Sequence, residues 1–232
     1  MQGELEGALG KVFDRQVTTV GAGRTDAGVH ALGQVVSVPD APDDLDLDKL
    51  VSAVNAMCGP SIALRAAKPA AADFNARFSA RSRTYVYAIL QDETRDPFLA
   101  RTTLHHPSPL DVAAMNEAAG HVLGAHDFSS FGRVSPSATS ERTLFELATR
   151  PDGRIIRIRA RANAFIQQMV RSLVGTLIET GQGLRAPDEM PSILAARERA
   201  AAGPVAPPHG LCLVAVEYDE GWSRPPVATP GV

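Results

Sequence analysis

Residues 142–149 and 154–160 both read as strands, and Pro151-Asp152-Gly153 stands between them. Two such runs around a turn of that composition predict a β-hairpin. A hairpin alone buries too little surface to be stable and needs a partner layer. The partner follows at once. Ile166, Met169, Val170, Leu173, Val174, Leu177 and Ile178 recur at helical spacing over residues 165–180, and Gly181 ends the run. Strands, hairpins and amphipathic helices mixed in this way imply an α+β fold, with antiparallel sheets covered by helices on one face.

The rest of the chain reads in the same terms. Leu5, Leu9, Val12 and Phe13 stripe a helix over Gln2–Phe13. Further helices are predicted over residues 47–57 behind Asp46 as N-cap, over 110–123 between Pro109 and Gly124, and over 188–200 with Pro191 in the first turn. Strands are predicted over residues 17–22, 34–38, 61–67, 82–90, 102–105 and 211–218, and a loop over 126–131. Residues 73–80 form an aperiodic connector, which sets the expected boundary. Residues 1–79 are read as an N-terminal α+β half, 80–224 as a C-terminal α+β half and 225–232 as a loose Pro-rich tail, with an active-site cleft between the halves.

Charge is unevenly distributed. Residues 1–70 hold six Lys/Arg against nine Asp/Glu, whereas residues 133–171 hold eight Arg against three acidic residues, and 20 of the 23 basic residues are Arg. Arg forms bidentate bonds to phosphate and stacks on bases, so a basic run on a chain of net charge −3 fits a nucleic acid met on one side, or an ordinary solvated face. No apolar run reaches the length of a membrane span, and the opening Met1-Gln2-Gly3-Glu4-Leu5-Glu6 is acidic and polar, unlike a signal peptide. A cytoplasmic protein is expected. Cys58 and Cys212 sit far apart among apolar neighbours, as buried free thiols do, and no zinc-ligand spacing exists.

One stretch carries chemistry. Four glycines fall between Gly21 and Gln34, together with Arg24, Thr25, Asp26 and His30, in a polar loop between two β-rich runs. Such a loop lets backbone approach a ligand closely and is where a scaffold presents reactive groups. Asp26 in a turn of this kind also has a purely local explanation, a bond to its own backbone. Asp26 and His30 as metal ligands lack a third partner at ligand spacing, and Gly21-Ala22-Gly23 lacks both the dinucleotide fingerprint and the Gly-Lys-Ser/Thr of a P-loop.

Gly23-Arg24-Thr25-Asp26-Ala27-Gly28-Val29-His30-Ala31-Leu32-Gly33-Gln34 resembles the signature loop of the tRNA pseudouridine synthase A family. Phe74-Asn75-Ala76-Arg77-Phe78-Ser79-Ala80 with Arg83-Thr84-Tyr85-Val86-Tyr87 resembles its second motif. Residues 162–175, from Ala162-Asn163-Ala164-Phe165 to Gly175, resemble its third, and residues 210–218 its closing strand. The resemblance implies an isomerase that converts uridine to pseudouridine at positions 38, 39 and 40 of the tRNA anticodon arm, with no cofactor and no metal. It makes Asp26 the nucleophile, Tyr85 the residue that stacks on the target uracil, and Arg171 the ion-pair partner of Asp26. It directs Arg24 toward phosphate or a flipped-out nucleotide. It further implies a homodimer with one tRNA lying across both subunits, to whose surface the basic run contributes.

Two departures accompany the resemblance. Family members carry His where this chain has Gln167 or Gln168. They also begin with a strand and a Tyr-Asp-Gly-Thr…Gly-Trp-Gln segment ahead of the helix with which this sequence opens. An element missing there would leave a neighbouring strand with unpaired edge groups. The alternative reading is therefore a truncated, catalytically inactive tRNA-binding relative.

Overall fold

The structure, a computed structural model, describes residues 1–134 and 139–219. In chain order its main elements are α1 (Gln2–Phe13), β1 (Val20–Gly21), β2 (His30–Ala31), β3 (Val36–Ser37), α2 (Leu47–Cys58), β4 (Ser82–Gln91), β5 (Leu104–His106), α3 (Val112–Gly120), β6 (Gly124–Asp127), β7 (Glu141–Asp152), β8 (Ile155–Ala162), α4 (Met169–Gly181), α5 (Met190–Ala196) and β9 (Leu211–Glu217). The fold class is α+β. The expected tail at 225–232 lies outside the described residues. The chain groups into two compact units, residues 1–22 with 35–79, and residues 23–34 with the chain from Ala80 onward.

In the first unit α1 and α2 share a core of Ala8, Leu9, Val17, Leu50, Val54 and Cys58. Asp46 caps α2 by accepting from the Lys49 N–H at 3.0 Å. The strands expected over 17–22 and 34–38 contract to two residues each, paired antiparallel as Val20 with Ser37 and Gly21 with Val36. Side chains satisfy the backbone around them. Glu6 accepts from the Thr19 N–H at 2.9 Å and from its hydroxyl at 3.0 Å, and Ser37 Oγ accepts from the Ala76 N–H at 3.1 Å. Residues 61–67 form no strand. Asn55, on α2, donates from Nδ2 to the Leu64 carbonyl at 2.8 Å and accepts from the Leu64 N–H at 2.6 Å, taking both groups that a neighbouring strand would have paired.

The second unit is built on a seven-stranded sheet of order β2-β9-β4-β8-β7-β6, with β5 also on β4. The hairpin is β7 and β8, closed at Gly153 with φ +60°. The sheet is mixed rather than purely antiparallel, because β2 runs parallel to β9 and β5 parallel to β4. Along β8, Ile156, Ile158, Ala160 and Ala162 are buried while Arg157, Arg159 and Arg161 on the opposite face are half-exposed.

Boundaries move for local reasons. The helix expected from Leu110 starts after Asp111, whose carboxylate accepts from the Ala114 N–H at 3.0 Å. Part of the loop expected over 126–131 is strand β6, paired with the start of β7, followed by a short 3-10 turn over Ser129–Phe131. The long helix starts at Met169, not at Phe165, because the Gln167 backbone pairs with Arg133 and Gln168 adopts φ +67°, outside the helical region. The helix expected over 188–200 is a 3-10 turn followed by α5, which stops where Arg197 takes φ +52°.

Candidate active site

The glycine-rich loop is pinned along its length within the second unit. Its end is β2, where His30 and Ala31 register with Cys212 and Leu213 of β9. The Leu32 and Gly33 N–H groups both donate to the Leu213 carbonyl, at 2.9 and 3.0 Å. Gly33 lies so close to β9 that a Cβ there would stand 2.3 Å from the Val214 carbonyl oxygen. Gln34 Nε2 donates back to the Gly23 carbonyl at 2.8 Å and closes the loop. The Val29 N–H donates to the Asp26 carbonyl at 3.0 Å, a tight turn that directs the chain around Asp26.

Asp26 meets Arg171. Arg171 Nη1 donates to Asp26 Oδ2 at 3.0 Å, with the Arg side chain 13 % and the Asp side chain 31 % exposed. Arg171 lies in the first turn of α4, and its Nε donates to the Ala206 carbonyl at 2.6 Å. The Ala206 N–H donates in return to the Arg171 carbonyl at 3.0 Å. The segment carrying Ala206 fits against α4 only because position 175 is glycine. A Cβ there would fall 1.7 Å from the Pro204 carbonyl oxygen. Two fixed acceptors therefore hold the guanidinium, one of them the carboxylate. An Arg so placed fixes the orientation of the carboxylate it pairs with.

Tyr85 on β4 is buried, and its ring packs edge-on against Phe165 with centroids 5.3 Å apart. A Cβ at Gly23 would stand 3.4 Å from the Tyr85 hydroxyl, which places that hydroxyl beside the loop. Burial pushes the phenol up to about 12; the Arg83 guanidinium pulls it back and the Asp26 carboxylate pushes it further. At neutral pH Tyr85 therefore keeps its proton and offers an aromatic edge and a donor. Arg83, itself buried, donates to the Ala80 and Asn163 carbonyls at 3.0 and 2.7 Å. Arg24 is exposed and enters no ion pair among the described residues.

Asp26, Arg171 and Tyr85 are thus brought together, and Arg24 stands on the open side of the same loop. His30 is not aimed at Asp26 as a co-ligand, because its Nε2 bonds the Arg101 carbonyl at 2.8 Å. Among the described residues no group of three or more His, Cys, Asp or Glu is arranged to hold a metal ion, and no helix is long and apolar enough to cross a membrane. Sequence reasoning missed Phe165, which it read as helical, and the Ala206 carbonyl. The signal for the second was a glycine at 175 inside strong helix formers, followed later by the Pro-rich stretch 203–208. The basic run is largely neutralised in place. Arg154 pairs with Asp92 and Asp96, Arg157 with Asp152, Arg159 with Glu146 and Arg161 with Glu217.

A family model described as tRNA pseudouridine synthase matches residues 118–219. A protein named tRNA pseudouridine synthase A from Herminiimonas arsenicoxydans is 43 % identical over 230 residues, which cover 97 % of this chain and 83 % of the relative. Proteins of the same name from Burkholderia mallei (strain SAVP1) and Burkholderia thailandensis are each 41 % identical over 231 residues, covering 97 % of this chain and 84 % of theirs.

Proposed function

Because the chain belongs to the tRNA pseudouridine synthase A family, and is thereby an isomerase acting on tRNA, we propose that it converts uridine to pseudouridine at positions 38, 39 and 40 of the anticodon arm with Asp26 as nucleophile. The reaction breaks the bond from the ribose to a uracil nitrogen, turns the base and rejoins it through carbon, while a proton leaves that carbon and one returns to the nitrogen. No atom is gained or lost, and one ionised carboxylate is sufficient to trap or stabilise the electron-poor sugar. The observation that carries this reading is the ion pair of Asp26 with an Arg171 that is anchored at a second point.

Each further residue has a role set by its chemistry. Tyr85 offers a protonated phenol and a ring against the displaced uracil, with Phe165 supporting the ring from the edge. Arg24, exposed and without a carboxylate partner, takes a phosphate of the anticodon loop. A homodimer working in the cytoplasm, with one tRNA across both copies, completes the proposal.

The test is pseudouridine formation on an unmodified anticodon stem–loop with uridine at position 39. The wild-type chain should convert it, and Asp26→Asn should fall by about four orders of magnitude or more, the size of loss seen when a nucleophile is removed. Retention of activity in Asp26→Asn would overturn the assignment. Tight tRNA binding by a wild-type chain that makes no pseudouridine would favour the inactive binder instead.

A further inference from the structure

We propose that the loop between β4 and β5 is a second RNA contact, in which Phe98 stacks on a base of the substrate outside the reacting nucleotide and Arg95 and Arg101 hold the phosphates beside it. Phe98 is 96 % exposed, the most exposed large apolar side chain among the described residues. Yet it does not stand on slack chain. Asp92 Oδ1 accepts from the Thr94 N–H and Asp96 Oδ1 from the Phe98 N–H, each at 2.9 Å. The Arg154 guanidinium clamps both of those aspartates, and the Leu99 carbonyl accepts from the Thr102 and Thr103 N–H groups at 2.9 and 3.0 Å. The stapled turn holds the ring out in water at little further entropic cost to stacking.

Charge identifies the occupant. Arg95 and Arg101 bracket Phe98, both are exposed, and neither enters an ion pair among the described residues. Of the acids in this loop, Asp92 and Asp96 are matched to Arg154, which leaves the exposed Glu93 against Arg95 and Arg101, a surplus of one positive charge. A cavity of about 150 Å³ beneath the loop is lined by Arg95, Asp96, Thr103, His105 and His209. An exposed ring between two guanidinium groups that enter no ion pair suits a nucleic acid, whose bases offer π-faces and whose backbone offers anions. The loop also adjoins the candidate active site. The Arg101 carbonyl bonds His30, four residues beyond Asp26, at 2.8 Å, and a Cβ added at Gly28 of the same loop would stand 3.1 Å from the Cγ of Pro208, next to His209. A tRNA bound at Asp26 would continue onto Phe98. This inference rests on the tRNA reading above.

The experiment is equilibrium binding of an unmodified tRNA transcript by filter retention, over a series of salt concentrations. Phe98→Ala should weaken binding by roughly 5- to 150-fold, the worth of one base–aromatic stack, and Phe98→Trp should restore it. Replacing Arg95 and Arg101 together by Ala should reduce the salt slope by about one to two units, and Leu184→Ala, an exposed apolar control, should change neither quantity. Binding by Phe98→Ala within twofold of wild type would overturn the proposal. So would a Phe98→Ala chain whose mass in sedimentation, without RNA, falls to half that of wild type, because Phe98 would then be a contact between copies. Pseudouridine formation is measured in parallel. Its absence from a wild-type chain that binds tRNA would count against Asp26 and the proposed reaction, and the binding ratio would still decide the loop.

Discussion

In the second unit seven strands exchange main-chain hydrogen bonds, and the loop bearing Asp26 is registered on them through β2. In the first unit the strand ladder is two residues long, and Glu6, Ser37, Asn55 and Asp46 supply bonds that a neighbouring strand or helix turn would otherwise supply. Glycines differ in the same sense. At Gly175 and Gly33 another stretch of backbone occupies the place of a side chain, whereas Gly7 on α1 has no atom within 4 Å of a Cβ. One unit is fixed by backbone-on-backbone fit, the other by side chains reaching for backbone. The first kind resists slippage and tolerates no added atom. The second tolerates added atoms and depends on single polar groups.

Gly175→Ala attacks the first kind and should have the largest effect. Its Cβ cannot coexist with the Pro204 carbonyl, so the segment holding Ala206 must move. A loss of about 3 kcal/mol is expected, which lowers the melting temperature by roughly 6–12 °C for a chain of this size. Calorimetry that finds the variant as stable as wild type would break the comparison.

The tyrosines probe the same unit by pH. All three lie in it. Burial raises Tyr85 and Tyr218 to about 12 and Tyr87 further still. A folded-state pKa above the unfolded value of about 10 gives stability that is complete below pH 10 and is lost as pH rises through 12. Phenolate absorbance at 295 nm should therefore stay flat in the folded protein at pH 10.5 and appear only as the sheet unfolds. A titration at pH 10 without unfolding would show the rings to be solvated.

Asn55→Ala attacks the second kind. It leaves both Leu64 backbone groups without their partner and should cost about 1–3 kcal/mol. Hydrogen exchange should quicken across residues 1–22 and 35–79, with β4, β8 and β9 unchanged. Quickening that spreads evenly through β4 and β8 would mean that the two units open as one. Gly7→Ala should have the smallest effect and the opposite sign to Gly175→Ala, a gain of about 0.5–1 kcal/mol from helix propensity alone, read as a higher denaturation midpoint.

The same division decides what could be read from sequence. The helix Gln2–Phe13 and the hairpin around Gly153 were legible because periodicity and turn chemistry are local. Residues 61–67 misread as strand because their apolar pattern is strand-like, while the partner that claims Leu64 is a side chain on a preceding helix. β2 was not legible, since two residues carry no period. At the candidate site, Asp26 and Arg171 were singled out through the resemblance of motifs 145 residues apart, a separation that no local rule spans. The Ala206 carbonyl that steadies Arg171 left only an indirect trace, the glycine at 175, because every residue has a carbonyl and none marks itself.

The parallel pairing of β2 with β9 has one more consequence. Strands shift only by whole residues, about 3.3 Å at a time. A single step would carry Asp26 from a 3.0 Å bond with Arg171 to well outside hydrogen-bond reach, and would turn His30 away from the Arg101 carbonyl. Gly33, wedged against Val214, acts as the detent that blocks such a step. The carboxylate is therefore set like a ratchet tooth rather than a dial, engaged in one notch and idle in the next.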